Sequence, residues 1–231
     1  MKRLLLTIFA LTLAFTTRAY EPLPLDIDQI DGFHSIRVIG NLSVECLKTT
    51  SNPAMHINMM SNDPRRFDWS VKDSVLTISF SANSKSNATL ITLWYNTPIQ
   101  SVEIKRADVQ MAEALTAPLL DVTLTEGARF SADVECLDLN LSLSGRSVAK
   151  IAGQAKYQTI EVGRKSALEA AKTVGNSVEL SAAGRSEVYV CATERFVCSS
   201  SGRSSVFYDG SPAIVRAQHS GFATINSIGA R

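Results

Sequence analysis

The chain has 231 residues, 23 basic and 22 acidic side chains, and 45% hydrophobic residues. So even a charge balance offers no electrostatic footprint for a nucleic acid or an anionic membrane. The length suits one domain, and the four cysteines contain no Cys-x-x-Cys spacing.

Residues 1–19 open with Lys2-Arg3, continue as an apolar run over 4–15 and end in Thr17-Arg18-Ala19. A basic start, a short apolar core and small residues at −3 and −1 predict a secretory signal peptide cleaved after Ala19. The run is too short for a membrane span. Cleavage removes Lys2, Arg3 and Arg18, leaving 20 basic against 22 acidic residues. The mature chain is therefore expected to be exported to the periplasm, cell surface or medium, with no membrane-spanning segment. Residues 20–31, with Pro22, Pro24 and several acids, read as an exposed leader to a domain over 32–231.

From His34 the sequence alternates apolar and polar residues, as half-buried strands do. Ser35-Ile36-Arg37-Val38-Ile39, Met55-His56-Ile57-Asn58-Met59 and Val75-Leu76-Thr77-Ile78-Ser79-Phe80 are examples, punctuated by Gly40-Asn41, Asn52-Pro53 and Thr97-Pro98. This N-terminal part is all-β with irregular spacing.

Regular coils are expected over about 98–229. Glycines recur at Gly127, Gly145, Gly163, Gly184, Gly202 and Gly221, separated by 18, 18, 21, 18 and 19 residues. An apolar row, Val122, Leu141, Ile160, Val178, Val197 and Val215, keeps the same period. So does a second one, Phe130, Val148, Leu168, Val188, Val206 and Ile225. Short alternating segments repeated at one interval are the pattern of a chain coiling on itself. The expected fold is all-β, a single-stranded parallel β-helix (β-solenoid) with 18–21 residues per coil. Strands of successive coils would stack at about 4.8 Å, with glycines at the corners. The stretch 166–174 has high helix propensity, but its place in the repeat predicts a strand.

Phe33-His34-Ser35-Ile36-Arg37-Val38, Val71-Lys72-Asp73-Ser74-Val75-Leu76-Thr77-Ile78 and Ser101-Val102-Glu103-Ile104 follow one another in a familiar order. With the serine-glycine repeats and the closing Tyr208-Asp209-Gly210-Ser211-Pro212, the chain resembles the secreted bacterial family called putative auto-transporter adhesin, head GIN domain. The resemblance covers nearly all of the mature chain and implies a β-helix in the cell envelope or outside the cell. It carries over no catalytic, cofactor or ligand residues. Where the family favours Gly-Ser-Gly or Ser-Gly-Ser at the corners, this chain often places arginine after the glycine.

Arg146, Arg164, Arg185 and Arg203 each follow a repeat glycine, and Arg129 is displaced by one. Stacked glycines would align these guanidinium groups into a strip for an extended anionic ligand such as an acidic glycan. The same residues also read as a solvated edge, its repulsion relieved by Glu126, Glu161 and Glu187 and its charge discouraging strand pairing. Corner residues Ser147, Ser166, Ser186, Ser204 and Ser205 read as satisfying turn amides, with sugar contact the other reading. His34, His56 and His219 are too dispersed for a metal site. Cys46, Cys136, Cys191 and Cys198 read either as buried thiols or as partners in disulfides, Cys191 with Cys198 closing the shortest loop.

Asp121, Asp133 and Asp138 do not recur at the coil interval, and no Gly-x-Ser-x-Gly is present. The expected function is a non-catalytic secreted or envelope adhesin that binds a glycan or surface polymer, with no cofactor or metal. A self-assembling structural module is the alternative, and a polysaccharide-active enzyme the second. Expected partners are an acidic glycan, another envelope protein or a second copy of the chain.

Overall fold

A computed structural model describes residues 23–59, 66–81 and 89–228. The expected signal peptide over 1–19 lies outside the described residues. Among those described, seventeen strands join into one hydrogen-bonded sheet, and no segment is α-helical. The sheet is wound into a parallel β-solenoid of about seven turns with about 19 residues per turn.

The N-terminal part is layered out of chain order. Here β2 (Ser35–Gly40) lies between β6 (Val75–Phe80) and β8 (Ser101–Lys105), parallel to both. Likewise β3 (Leu42–Lys48) lies between β7 (Thr89–Tyr95) and β9 (Asp108–Met111). The outer end is closed by antiparallel strands. Of these β5 (Phe67–Lys72) covers β6, and β4 (Ala54–Met59) covers β7. Within the expected leader, β1 (Leu23–Ile27) is paired with β4, with Leu25 and Asp26 exposed, and Ile30 is buried.

Past Pro98 the coils follow chain order. They comprise β10 (Leu115–Thr125), β11 (Arg129–Leu143), β12 (Val148–Val162), β13 (Ala167–Ala182) and β14 (Glu187–Ser200). The last coil holds β15 (Ser205–Asp209), β16 (Ile214–His219) and β17 (Thr224–Ser227). The long strands are bent strips that follow more than one side of a coil. In β11, for example, the ladder to β12 skips Leu137, which is exposed where the strip turns. Of the stretch 166–174, all but Ser166 falls in β13, so alternating burial outweighs helix propensity there.

Inward side chains form columns. One runs Val102, Val122, Leu141, Ile160, Leu180 and Cys198, all buried and each beside the next in register. The expected column differs in its upper half. Val178 is buried but stands beside Gln158, two positions from Ile160's partner, while Val197 points outward and Val215 lies exposed in the last coil. A second column runs Val109, Phe130, Ala149, Leu168, Val188 and Val206. Ala149 replaces the expected Val148, because a one-residue slip turns a strand residue to the opposite face.

The long gap between Gly163 and Gly184 is spent in β13. Its register slips between Ala170 and Val174 against β14, and between Lys150 and Ala152 of β12 against it. Buried Thr173 anchors this bulge, its Oγ1 donating to the Ile151 carbonyl at 2.8 Å. Gln158 Nε2 donates to the Thr173 carbonyl at 3.3 Å from inside the core.

Candidate functional site

Each coil turns a tight corner between the strand ending near Leu143, Val162 or Ala182 and the one starting near Val148, Ala167 or Glu187. In three of these stacked turns two consecutive residues have positive φ. These are Glu126 and Gly127, Gly145 and Arg146, and Arg164 and Lys165. Stacking is direct, since a Cβ built on Gly202 would meet the Gly184 carbonyl at 2.9 Å.

This geometry sorts the candidate cations. Arg146, Arg185 and Arg203 share the second turn position, and Lys165 shares it with them. The stacked residue before it is Gly145, Arg164, Gly184 or Gly202. Arg164, with φ of 53°, thus stands in the glycine row beside the cation row. The backbone confirms the offset: Arg203 N donates to the Gly184 carbonyl and Phe222 N to the Gly202 carbonyl. Arg129 is elsewhere, at the head of β11, where Nη1 reaches Asp108 Oδ2 at 3.4 Å. The corner therefore presents Arg146, Lys165, Arg185 and Arg203 in line, all exposed, with Arg164 alongside. Exposed Phe222 follows Arg203, whose guanidinium lies 5.8 Å from the ring centroid.

Two of the three acids that could neutralise the row, Glu126 and Glu187, are engaged otherwise. Glu126 pairs with Lys105 at 2.9 Å and Arg106 at 3.4 Å, below the cation row. That hydrogen bond from Lys105 holds the Glu126 carboxyl below its ordinary range. Glu187 accepts a hydrogen bond from the Tyr189 hydroxyl at 2.8 Å. None of the ion pairs found among the described residues involves Arg146, Arg164, Lys165, Arg185 or Arg203. Charges one coil apart repel unless an anion lies between them.

Behind the cations stands a column of buried serines: Ser147, Ser166, Ser186 and Ser204. Ser147 Oγ donates to the Ser144 carbonyl at 2.7 Å, and Ser204 Oγ to the Ser201 carbonyl at 2.8 Å. The hydroxyls of Ser147 and Ser204 thus close their turns from inside, whereas that of Ser186 is buried without a hydrogen-bond partner among the described residues. Ser205 lies half-buried at the head of β15.

The other candidates are scattered. His34 Nδ1 lies 3.1 Å from the Pro98 carbonyl, His56 pairs with Asp26, and His219 ends β16. Asp121 accepts a hydrogen bond from Asn140 Nδ2 at 2.8 Å on a side of the coil other than the one bearing Asp133. All four cysteines are free thiols. Burial pushes the Cys46 thiol up to about 12, and those of Cys136 and Cys198 to about 11, which suppresses the reactive thiolate.

A family model described as "Putative auto-transporter adhesin, head GIN domain" matches residues 32–212. Among solved structures, a putative adhesin of Bacteroides fragilis superposes with a TM-score of 0.83 at 22% identity, covering 91% of this chain and 98% of that one. A putative adhesin of Parabacteroides merdae gives 0.72 at 16% identity, covering 90% and 96%. A putative lipid binding protein of Parabacteroides distasonis gives 0.70 at 13% identity, covering 90% and 97%. At these identities the likeness is one of fold. No curated protein matches the chain.

Proposed function

The chain belongs to the family described as putative auto-transporter adhesin, head GIN domain, and on that premise we propose that it is a non-catalytic adhesin acting outside the cytoplasm. Its ligand on this reading is an extended anionic polymer, such as an acidic glycan, held along the corner by Arg146, Lys165, Arg185 and Arg203. The supporting observation is the row itself, one exposed cation per coil with no carboxylate paired to it among the described residues. Guanidinium groups suit such a role because they grip carboxylate or sulfate with two parallel hydrogen bonds.

The test is retention of the purified mature chain on immobilised polygalacturonate. The parent chain is expected to elute only on raising salt, as screening weakens the contacts. The triple variant Lys165→Ser, Arg185→Ser, Arg203→Ser should pass through without delay while keeping its β-type circular dichroism. Arg129→Ser, which breaks only the pair with Asp108, should leave retention unchanged. Undiminished retention of the triple variant would refute the reading.

A further inference from the structure

On the side that follows the corner, outward residues of successive coils also stack in register. One row reads Ser131, Lys150, Glu169, Tyr189 and Phe207. Lys150 Nζ pairs with Glu169 Oε2 at 3.2 Å. The rings of Tyr189 and Phe207 stack with centroids 4.8 Å apart and planes 14° from parallel. Phe207 therefore covers one face of Tyr189, and the other face looks toward Glu169.

That open face borders a groove of about 760 Å³, within the range of small-molecule sites. Its far wall is the bulge of β13, where Ala171 and Lys172 stand out of the ladder to β14. Bulges re-aim side chains beside functional sites. This one is held from beneath by the Thr173 hydroxyl and the Gln158 amide. Gly175 makes room for that amide, since a Cβ there would come within 2.5 Å of Gln158 Nε2.

The lining carries three carboxylates, Asp133, Glu169 and Glu187, against two cations, Lys150 and Lys172. An anion is thus disfavoured here, in contrast to the corner. Carboxylates accept hydrogen bonds from hydroxyl groups, lysine donates to hydroxyl oxygens, and an aromatic face packs against the C–H face of a ring. A ligand meeting all three is a polyhydroxylated ring without charge.

We propose that this groove is a second binding site, one that takes a neutral sugar residue of a glycan. The sugar ring packs on the open face of Tyr189, and its hydroxyls bond to Asp133, Glu169 and Lys172. The Tyr189–Glu187 hydrogen bond fixes the platform. The site shares no residue with the cation row, so each can fail without the other.

Calorimetric titration of the mature chain with maltohexaose, cellohexaose and mannohexaose tests the assignment. Saturable binding to at least one of them is expected. Tyr189→Ala should weaken it by about tenfold or more, as loss of an anchoring aromatic does. Ala171→Trp, which fills the groove and removes no contact, should abolish it. Tyr157→Ala, on another side of the coil, and the triple corner variant should bind as the parent does. Absence of saturable binding to all three sugars would overturn the proposal. So would undiminished binding by either Tyr189→Ala or Ala171→Trp, whichever keeps the parent's circular dichroism.

Discussion

Gly153 and Gly163 look alike in sequence and have opposite structural demands. Gly153 has φ of +109°, and a Cβ there would approach the Val134 carbonyl oxygen to 2.2 Å. Gly163 has no positive φ, and nothing lies within 4 Å of a Cβ built on it. Gly153→Ala is therefore expected to cost about 2 kcal/mol or more, while Gly163→Ala should fall within about 0.5 kcal/mol of the parent. Urea unfolding of both variants checks this, and an equal cost for the two would contradict it. Spacing alone selects Gly163, because it continues an even series. The requirement itself comes from the neighbouring coil, which is remote in the chain. Arg164 takes the stacked place instead, and this is why Lys165 escapes a search for arginines after glycines. The 21-residue interval ending at Gly184 is the one sign in the sequence that the series has slipped.

Among the elements, β13 shows how far periodicity carries. A two-residue slip leaves alternation intact, so Val178 is rightly read as buried although Leu180 is the residue beside Ile160. A one-residue slip does not, and Val148 exchanges places with Ala149. The bulge that causes the later slip rests on buried polar groups whose partners come from other coils, a relation that no local pattern encodes. Thr173→Val keeps the shape but deprives the Ile151 carbonyl of its donor. An unpaired buried group costs about 1–3 kcal/mol. The variant should show that loss in urea unfolding, together with weaker binding in the groove beneath Lys172. A change in neither would dissociate the bulge from its anchor.

At the scale of the molecule, the coils past Pro98 are legible because each lies on the one made just before it. The first layers are not, because β2 and β3 are sandwiched between strands that follow them in sequence. Each end of the stack also has its own character. Antiparallel strands close the first, whereas every residue of β16 is exposed and the strand is paired with β14. Stability is accordingly uneven along the axis. Amide hydrogen exchange should be fastest in β16 and β17 and slowest in β11 to β13. Uniform protection would mean that the coils open as one unit.

The sandwiched first layer has a mechanical consequence. Load applied at the C-terminal side of the stack peels one rung at a time, breaking few hydrogen bonds at each step. Tension reaching β2 and β3 meets strands gripped from above and below, which must shear on both edges together. A stack built this way yields gradually under pull at its C-terminal end while its N-terminal layers hold fast.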